Sequence, residues 1–190
     1  MLSADKMIKK WVVEGYQTML DEIDTQLNRH RVDGKPLAVT HVIVPVGCGS
    51  IAQAVTQHFK SAAREQRLGS TARVLTVEPD TAACFKASLE HAKMTSVATG
   101  DSNMCGMNCG TLSTLAWPIL QLGVDGAVVV SDGEADDAVR ALNRVAIKAG
   151  PCGAATLAAL RKACNLERAR LGLTEESVVV LLNTESARHY

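Results

Sequence analysis

Four short runs of apolar, mostly β-branched residues constrain the fold of this chain more than any other feature. They occupy residues 42–46, 74–77, 127–130 and 178–182. The runs are continuous rather than alternating, which is typical of strands that helices cover on both faces of a parallel sheet. Helical patterns lie between them, at residues 51–66, 81–89, 134–146 and 154–169. The sequence therefore predicts an α/β fold, an open and mostly parallel twisted sheet with helices on both faces in a three-layer, Rossmann-like αβα arrangement.

Length, charge and cysteine spacing narrow the class of protein. At 190 residues the chain suits a single domain, in which residues 1–36 form a helix and turn that pack on an α/β domain at residues 37–190. Its 20 basic residues balance 20 acidic ones and aromatic residues make up 3%, so we expect no nucleic-acid partner. The apolar runs are too short to span a membrane and the N-terminus is too rich in lysine for a signal peptide, so we expect a cytoplasmic protein. The 6 cysteines form no zinc-binding pattern, so we expect no metal.

Local signals predict one further helix and the starting point of another. Residues 5–29 repeat apolar side chains at helical spacing, which predicts one amphipathic helix. Ser131 and Glu134 are spaced as a capping box, and Asp132 between them is itself a good capping residue. We therefore expect a helix to begin at this point and expect these side chains to serve the cap rather than a ligand.

The first apolar run leads straight into a glycine loop and then a helix, in the order Gly47, Cys48, Gly49, Ser50, Ile51 and Ala52. Glycines permit a tight turn and let backbone N–H groups approach an anion, which the helix dipole also favours. A phosphate group is therefore the predicted ligand, and a bulky residue at Gly49 is expected to prevent its binding while leaving the fold intact. Two glycines that only allow close packing of strand and helix are the structural alternative.

A second glycine loop, Gly150 to Gly153, opens the helical pattern at residues 154–169. It offers another helix N-terminus to an anion or a carboxylate, and two such N-termini can converge on one ligand. An ordinary hinge loop is the alternative. Thr184 and Glu185 follow the fourth apolar run, at the carboxyl edge where open α/β sheets bind ligands. A hydroxyl at that edge can hydrogen-bond a ring nitrogen.

Six blocks of sequence, taken together, can be compared with known families. They are VIVPVGCGSIA at 42–52, VEPD at 77–80, MCGMNCGTLSTLAWPIL at 104–120, residues 131–142, AGPCGAATLAAL at 149–160 and VLLNTE at 180–185. In this order they resemble the fold-type II, tryptophan-synthase-β-like family of pyridoxal-phosphate enzymes, and within it the diaminopropionate ammonia-lyases most. The resemblance implies pyridoxal 5'-phosphate as cofactor and α,β-elimination of an amino acid such as 2,3-diaminopropionate to an oxo acid and ammonia. It also implies cofactor contacts from Gly47, Cys48, Gly49, Ser50, Ile51, Ala52, Gly150, Gly153 and Thr184, the last of these at the pyridine nitrogen.

The chain also departs from that family. Gln53 and Ala54 replace further glycines of the first loop, and Pro151 and Cys152 stand where relatives carry acidic and hydroxyl side chains. The likeness covers only the C-terminal half of the family, so the lysine that forms the Schiff base has no counterpart, and Lys148 aligns with no family lysine. We therefore expect a C-terminal fragment or degenerate homologue, inactive as an isolated chain and without a catalytic residue of its own. It would act on a small amino acid as a homodimer or together with an N-terminal half.

Two other functions remain open on the sequence alone. A Rossmann-like domain could bind NAD through the glycine loop, with Ala52 in the third glycine place and Glu78 where a ribose-binding acid would lie. A non-catalytic module that binds phosphorylated ligands is the other. The dinucleotide site requires Glu78 to face the ligand crevice, whereas the pyridoxal-phosphate site requires Thr184 and the second glycine loop to face it.

Overall fold

The computed structural model describes residues 4–32, 34–68 and 71–187. Its helices are α1 (Ala4–Gly15), α2 (Gln17–Arg29), α3 (Ser50–Phe59), α4 (Ala62–Leu68), α5 (Cys84–Glu90), α6 (Trp117–Gly123), α7 (Asp132–Arg144), α8 (Pro151–Leu166) and α9 (Arg168–Leu171). Its strands are β1 (Arg31–Val32), β2 (Lys35–Pro36), β3 (His41–Pro45), β4 (Arg73–Pro79), β5 (Gly126–Val130) and β6 (Val179–Leu181). Two 3-10 turns lie at Asp80–Ala82 and Cys105–Met107.

The four predicted strands form one parallel sheet in the order β5-β4-β3-β6. Every residue of β3 is buried, because helices lie on both faces of the sheet. Val42 and Val44 pack with α3 and α6 on one face, whereas Ile43 packs with α7 and α8 on the other. Each such side chain contributes roughly 1.5–3 kcal/mol when fully buried. The predicted α/β fold class is confirmed.

Pro45 lies at the end of the central strand β3, where its missing N–H removes no strand-to-strand hydrogen bond. β6 pairs with β3 only as far as Ile43. On the opposite side, the N–H of Val46 donates to the carbonyl of Val77 at 2.9 Å. Because N–H groups alternate in direction along a strand, position 45 faces the β6 side, beyond the last paired residue of β6.

Some predicted helices are divided in the structure, among them the two nearest the N-terminus. The helix predicted at residues 5–29 turns at Tyr16, whose N–H donates to the carbonyl of Val13 rather than continuing the regular pattern. The helix predicted at residues 51–66 ends at Phe59, and α4 begins after Ser61, whose hydroxyl accepts from the N–H of Arg64 at 3.3 Å. Ser61 is therefore a capping residue that the apolar periodicity did not reveal. Within the described residues, no helix has the length and apolar character needed to cross a membrane.

The N-terminal helices pack against the α3 side of the sheet. Leu20 of α2 is fully buried in the same cluster as Phe59. The Arg64 guanidinium, which is 5% exposed, donates to both carboxylate oxygens of Asp24 at 2.6 and 2.8 Å. His58 lies 3.2 Å from the same carboxylate, so a partly buried ion pair and a histidine join α2 to α3 and α4. That these helices and the α/β core form a single domain remains a prediction.

Candidate functional site

A cavity of about 500 Å³ lies at the carboxyl edge of the sheet. Six of the nine residues predicted to contact a cofactor line it: Gly47, Cys48, Gly49, Ser50, Ile51 and Thr184. The loop after β3 and the segment after β6 therefore meet at one site, although 132 residues lie between Ile51 and Thr184 in the chain. A volume of this size falls within the range of roughly 300–1,000 Å³ that small-molecule sites occupy.

The glycine loop places the N-terminus of α3 at this cavity. Gly49 has the left-handed backbone conformation (φ 95°), and α3 begins at the next residue. The first N–H groups of a helix have no partner within it, so those of Ser50 and Ile51 are available to a ligand at the cavity wall. Ala52, by contrast, is fully buried in the core, and its side chain does not line the cavity.

Close packing also restricts the two glycines of this loop, Gly47 against neighbouring backbone and Gly49 against neighbouring side chains. A Cβ on Gly47 would lie 3.1 Å from the carbonyl oxygen of Gly106, in the turn that forms another wall of the cavity. A Cβ on Gly49 would lie 3.0 Å from that of Ala116, just before α6. The expectation that Gly49 can be enlarged without harm to the fold is therefore wrong, because its free side faces the core rather than the ligand.

The second glycine loop differs from the first. Its helix, α8, begins at Pro151, and the Cys152 N–H donates to the carboxylate of Glu185 at 2.7 Å. A Cβ on Gly150 would lie 2.5 Å from that carboxylate, and a Cβ on Gly153 would collide with the Asn183 side chain. Neither glycine lines the cavity, and both allow the segment after β6 to lie against α8. The α8 N-terminus is thus filled by a carboxylate of the chain itself.

The site also includes residues that the sequence did not single out. Tyr16 and Met19 lie at the start of α2, and Gly106 and Met107 lie in the second 3-10 turn; all four line the cavity. The spacing of Tyr16 and Met19 indicates only an amphipathic helix, so no local signal distinguishes them from core residues. The turn belongs to the block at residues 104–120, where the family resemblance is a signal without a residue assignment.

The position of the Glu78 carboxylate tests the hypothesis of a dinucleotide site. Glu78 is 1% exposed, and its two carboxylate oxygens accept from the N–H groups of Phe85 at 2.7 Å and Lys86 at 2.9 Å. Burial raises the pKa of Glu78 to about 7, although these two hydrogen bonds oppose the shift. The carboxyl group therefore holds the start of α5 and does not line the cavity, which disfavours a ribose-binding role.

The predicted capping box is present, and Asp132 beside it holds the loop that precedes one wall of the cavity. The Ser131 hydroxyl accepts from the N–H of Glu134 at 3.3 Å, and the Glu134 carboxylate accepts from the N–H of Ser131 at 2.8 Å. The Asp132 carboxylate accepts from the Ser102 hydroxyl at 2.6 Å and the Asn103 N–H at 3.0 Å. Asp132 thus fixes the loop that precedes the Cys105–Met107 turn.

No lysine lines the cavity within the part of the chain that the structure describes. Lys148 is exposed, and its backbone carbonyl accepts from the Asn183 side-chain amide at 3.2 Å. Lys148 therefore contacts the segment after β6 through its backbone, and its side chain does not line the cavity.

Comparison with known proteins agrees with the predicted resemblance. The family model for pyridoxal-phosphate dependent enzymes matches residues 2–185. The diaminopropionate ammonia-lyase of Escherichia coli is 28% identical over 200 residues, which cover 96% of this chain and 47% of that protein. This chain thus spans about half the length of the curated relatives it matches.

Solved structures of two ammonia-lyases share the fold of this chain. The selenomethionine-incorporated holo diaminopropionate ammonia lyase from Escherichia coli superposes with a TM-score of 0.78 at 25% identity, over 93% of this chain and 44% of that chain. A fungal L-serine ammonia-lyase from Rhizomucor miehei gives a TM-score of 0.73 at 22% identity, over 92% of this chain and 52% of that chain. The latter likeness concerns the fold alone.

Proposed function

Because this chain belongs to the pyridoxal-phosphate dependent enzymes, we propose that it binds pyridoxal phosphate in the cavity and takes part in eliminating ammonia from a small amino acid. The substrate class we propose is that of 2,3-diaminopropionate, converted to an oxo acid and ammonia. The observation that carries the proposal is that the glycine loop and Thr184, distant in sequence, line one cavity. Similarity to diaminopropionate ammonia-lyase over 96% of the chain supports the choice of substrate.

The residues of the cavity fit the phosphate end of the cofactor. Ser50 and Ile51 begin α3, and both residues line the cavity. A phosphate at this point receives backbone hydrogen bonds and the favourable end of the helix dipole. The N–H groups at this helix N-terminus would hold the phosphate end of the cofactor without requiring a cationic side chain.

Thr184 suits the other end of the cofactor better than its neighbour does. The Thr184 side chain is exposed on the cavity wall, whereas the Glu185 carboxylate is held by the N–H of Cys152 at 2.7 Å. We assign the pyridine nitrogen to the Thr184 hydroxyl. A neutral hydroxyl can hydrogen-bond the ring nitrogen without requiring that nitrogen to be protonated.

When bound, pyridoxal phosphate supplies an electron sink for the substrate Cα that loses its proton. The reaction also requires a lysine amine that reaches the cofactor aldehyde and serves as a base. Because no lysine among the described residues lines the cavity, we propose that this amine comes from another segment, an N-terminal half of the enzyme. On this proposal, the cavity wall described here positions the cofactor and does not itself transfer the proton. A non-catalytic module that binds phosphorylated ligands is the alternative that the same observation favours.

A matched pair of variants at Ser50 tests the phosphate position. Ser50→Asp keeps a residue that helix N-termini prefer but adds a negative charge beside the phosphate, whereas Ser50→Asn is similar in size and neutral. We expect Ser50→Asp to weaken binding of pyridoxal phosphate by about tenfold or more, and Ser50→Asn to change it by less than about threefold. Equilibrium dialysis measures both affinities, with melting temperatures to show that both variants fold. Equal affinities for Asp and Asn would mean that the phosphate is not bound here.

Activity tests the choice between lyase and binding module. The purified chain is mixed with pyridoxal phosphate and 2,3-diaminopropionate, with and without an N-terminal half taken from the Escherichia coli lyase. We expect ammonia release only in the presence of the added half. Release by the chain alone would contradict the proposed source of the amine. Cofactor binding with no release in either mixture would favour the binding module.

A further inference from the structure

A partly buried cluster of charged side chains joins α2 to α3 and α4. In it, Asp24 of α2 accepts from Arg64 of α4 at 2.6 and 2.8 Å, and His58 of α3 lies 3.2 Å from the same carboxylate. Tyr16 and Met19, at the start of α2, line the cavity, and we call them the α2 wall. We propose that neutral His58 is a positioning residue that holds the α2 wall against the cavity, and that protonation of His58 releases this wall.

The neighbours of the imidazole determine which of its nitrogens carries the proton. The side-chain Nε2 of Gln17 donates to the Asp21 carboxylate at 2.7 Å and lies 3.5 Å from the Nδ1 of His58. An amide nitrogen has only hydrogens to offer, so Nδ1 is the acceptor in this contact. We therefore assign the proton to the Nε2 of His58, which faces Asp24. In this tautomer the ring contacts α2 twice, at Gln17 and at Asp24.

A second proton on the ring would break this arrangement. Nδ1 would become a donor and face the amide donor of Gln17. The new positive charge would lie 3.2 Å from the Nη1 of Arg64, which already donates to Asp24. The charged groups that act on His58 are Asp24 and Asp21 on α2 and Arg64 on α4. Burial is the main cause that lowers the pKa of His58, Asp24 opposes this shift, and Arg64 adds to it.

The backbone before α2 allows the start of this helix to move. α1 ends at Gly15, where an added Cβ would meet open space, and the chain turns at Tyr16. Gln17 is the first residue of α2, so loss of its contact with His58 acts directly beside the α2 wall. Leu20, one turn further on, is fully buried and keeps the rest of the helix packed. We therefore expect protonation to displace the α2 wall and not to detach the helix.

The direction of the pKa shift sets the pH range of this change. The folded chain lowers the pKa of His58 from 6.5, so folding favours the neutral ring. The stabilising contribution of His58 is therefore full above about pH 6.5 and is lost as pH falls below that value. A cavity that loses one wall holds its ligand less tightly. Weaker binding of pyridoxal phosphate in acid then follows, and this part of the inference rests on the proposed function.

Amide hydrogen exchange tests the movement without any ligand. The full chain and its His58→Gln variant, whose side chain stays neutral, are compared at about pH 7.5 and about pH 5.5, with correction for the intrinsic pH dependence of exchange. In the unchanged chain at the lower pH, we expect peptides from the start of α2 to exchange about threefold faster or more. His58→Gln should show no such increase, whereas His91→Gln, at an exposed position, should behave as the unchanged chain does.

Equal protection of the unchanged chain at both pH values would overturn the proposal, and so would an increase that persists in His58→Gln. If His58→Gln does not fold, Gln17→Met provides a second test, because it removes the amide contact from an exposed residue. We expect Gln17→Met to exchange faster at the higher pH and to respond less to acid. An unchanged response in that variant would contradict the role given to the Gln17 contact.

Binding of pyridoxal phosphate to the same two chains tests the effect on the cavity. The ligand's own titration affects both chains alike, so the ratio of their dissociation constants reports on His58. We expect the affinity of the unchanged chain, relative to His58→Gln, to fall by about threefold or more from the higher pH to the lower. A constant ratio would overturn the link between His58 and the cavity. No binding by either chain would contradict the proposed function, while faster exchange in acid would still support the release of α2 by His58.

Discussion

The N-termini of α3 and α8 both follow glycine loops near the same edge of the sheet, yet only one is open to a ligand. At α8, the Glu185 carboxylate accepts from the Cys152 N–H and occupies the position of an anion. At α3, Gly49 contributes no side chain, and Ser50 and Ile51 line the cavity. Two similar motifs therefore differ because the chain supplies an acid to one helix and not to the other.

Two further helices on this sheet agree with that distinction. Glu78 accepts from two N–H groups at the start of α5, and Glu134 completes a capping box at the start of α7. In each case a carboxylate of the chain satisfies backbone donors that would otherwise attract an anion. Among these four helices, α3 begins without such a group, and it is the one we assign to the phosphate.

The largest expected effect comes from adding a side chain to the glycine loop before α3. Gly49→Val should destabilise the chain by about 3–5 kcal/mol, because a left-handed backbone and a crowded core act together. The Cβ would lie 3.0 Å from the Cβ of Ala116, and φ is 95°. Urea denaturation measures the loss, with Gly15→Ala as a control, since a Cβ there has open space around it. A loss below about 1 kcal/mol would show that the loop can rearrange.

The carboxyl group at α5 should give the chain a pH-dependent stability. Glu78 has a pKa raised by burial from 4.5 to about 7, so the folded state binds its proton more tightly than the unfolded state does. Its contribution is therefore full below about pH 4.5 and is lost as pH rises through 7, by up to about 3 kcal/mol. Glu78→Gln should remove this part of the slope, as measured by urea denaturation at each pH. Glu90→Gln, at an exposed position at the end of α5, should leave the slope unchanged.

Glu185, at the N-terminus of α8, should contribute less to stability than Glu78 does, because Glu185 is only half-buried. Glu185→Ala should cost about 1 kcal/mol, the usual loss when a helix N-terminus is deprived of its side-chain acceptor. It should also create a second, weaker site for inorganic phosphate at the N–H of Cys152. Isothermal titration with phosphate measures the number of sites, and the neutral variant Glu185→Gln should keep most of the stability. A single site in Glu185→Ala would mean that α8 does not become equivalent to α3.

These differences also explain what the sequence could predict. The strands follow from local composition, so the run predicted at residues 74–77 lies inside β4, and the capping box at Ser131 follows from a three-residue spacing. The filled N-terminus of α8 depends on Glu185, 33 residues from Cys152, and no local pattern relates the two. The contact between Cys48 and Cys109 spans 61 residues for the same reason. Contacts across loops depend on the packed structure, which periodicity does not describe.

The smallest expected effect concerns Thr184, which lies at the cavity but on the segment held against α8. Thr184→Val removes the hydroxyl and preserves the shape, whereas Thr184→Ser preserves the hydroxyl and removes a methyl group. If the hydroxyl contacts the pyridine nitrogen, Thr184→Val should weaken binding of pyridoxal phosphate by roughly three- to tenfold, the effect of one neutral hydrogen bond. Thr184→Ser should bind within about twofold of the unchanged chain, and neither variant should alter binding of inorganic phosphate, which lacks the ring. Because phosphate reports only on α3, an equal loss of both ligands in Thr184→Val would indicate a general distortion of the cavity. Equal binding of pyridoxal phosphate by the Val and Ser variants would contradict the assignment of the ring nitrogen to Thr184.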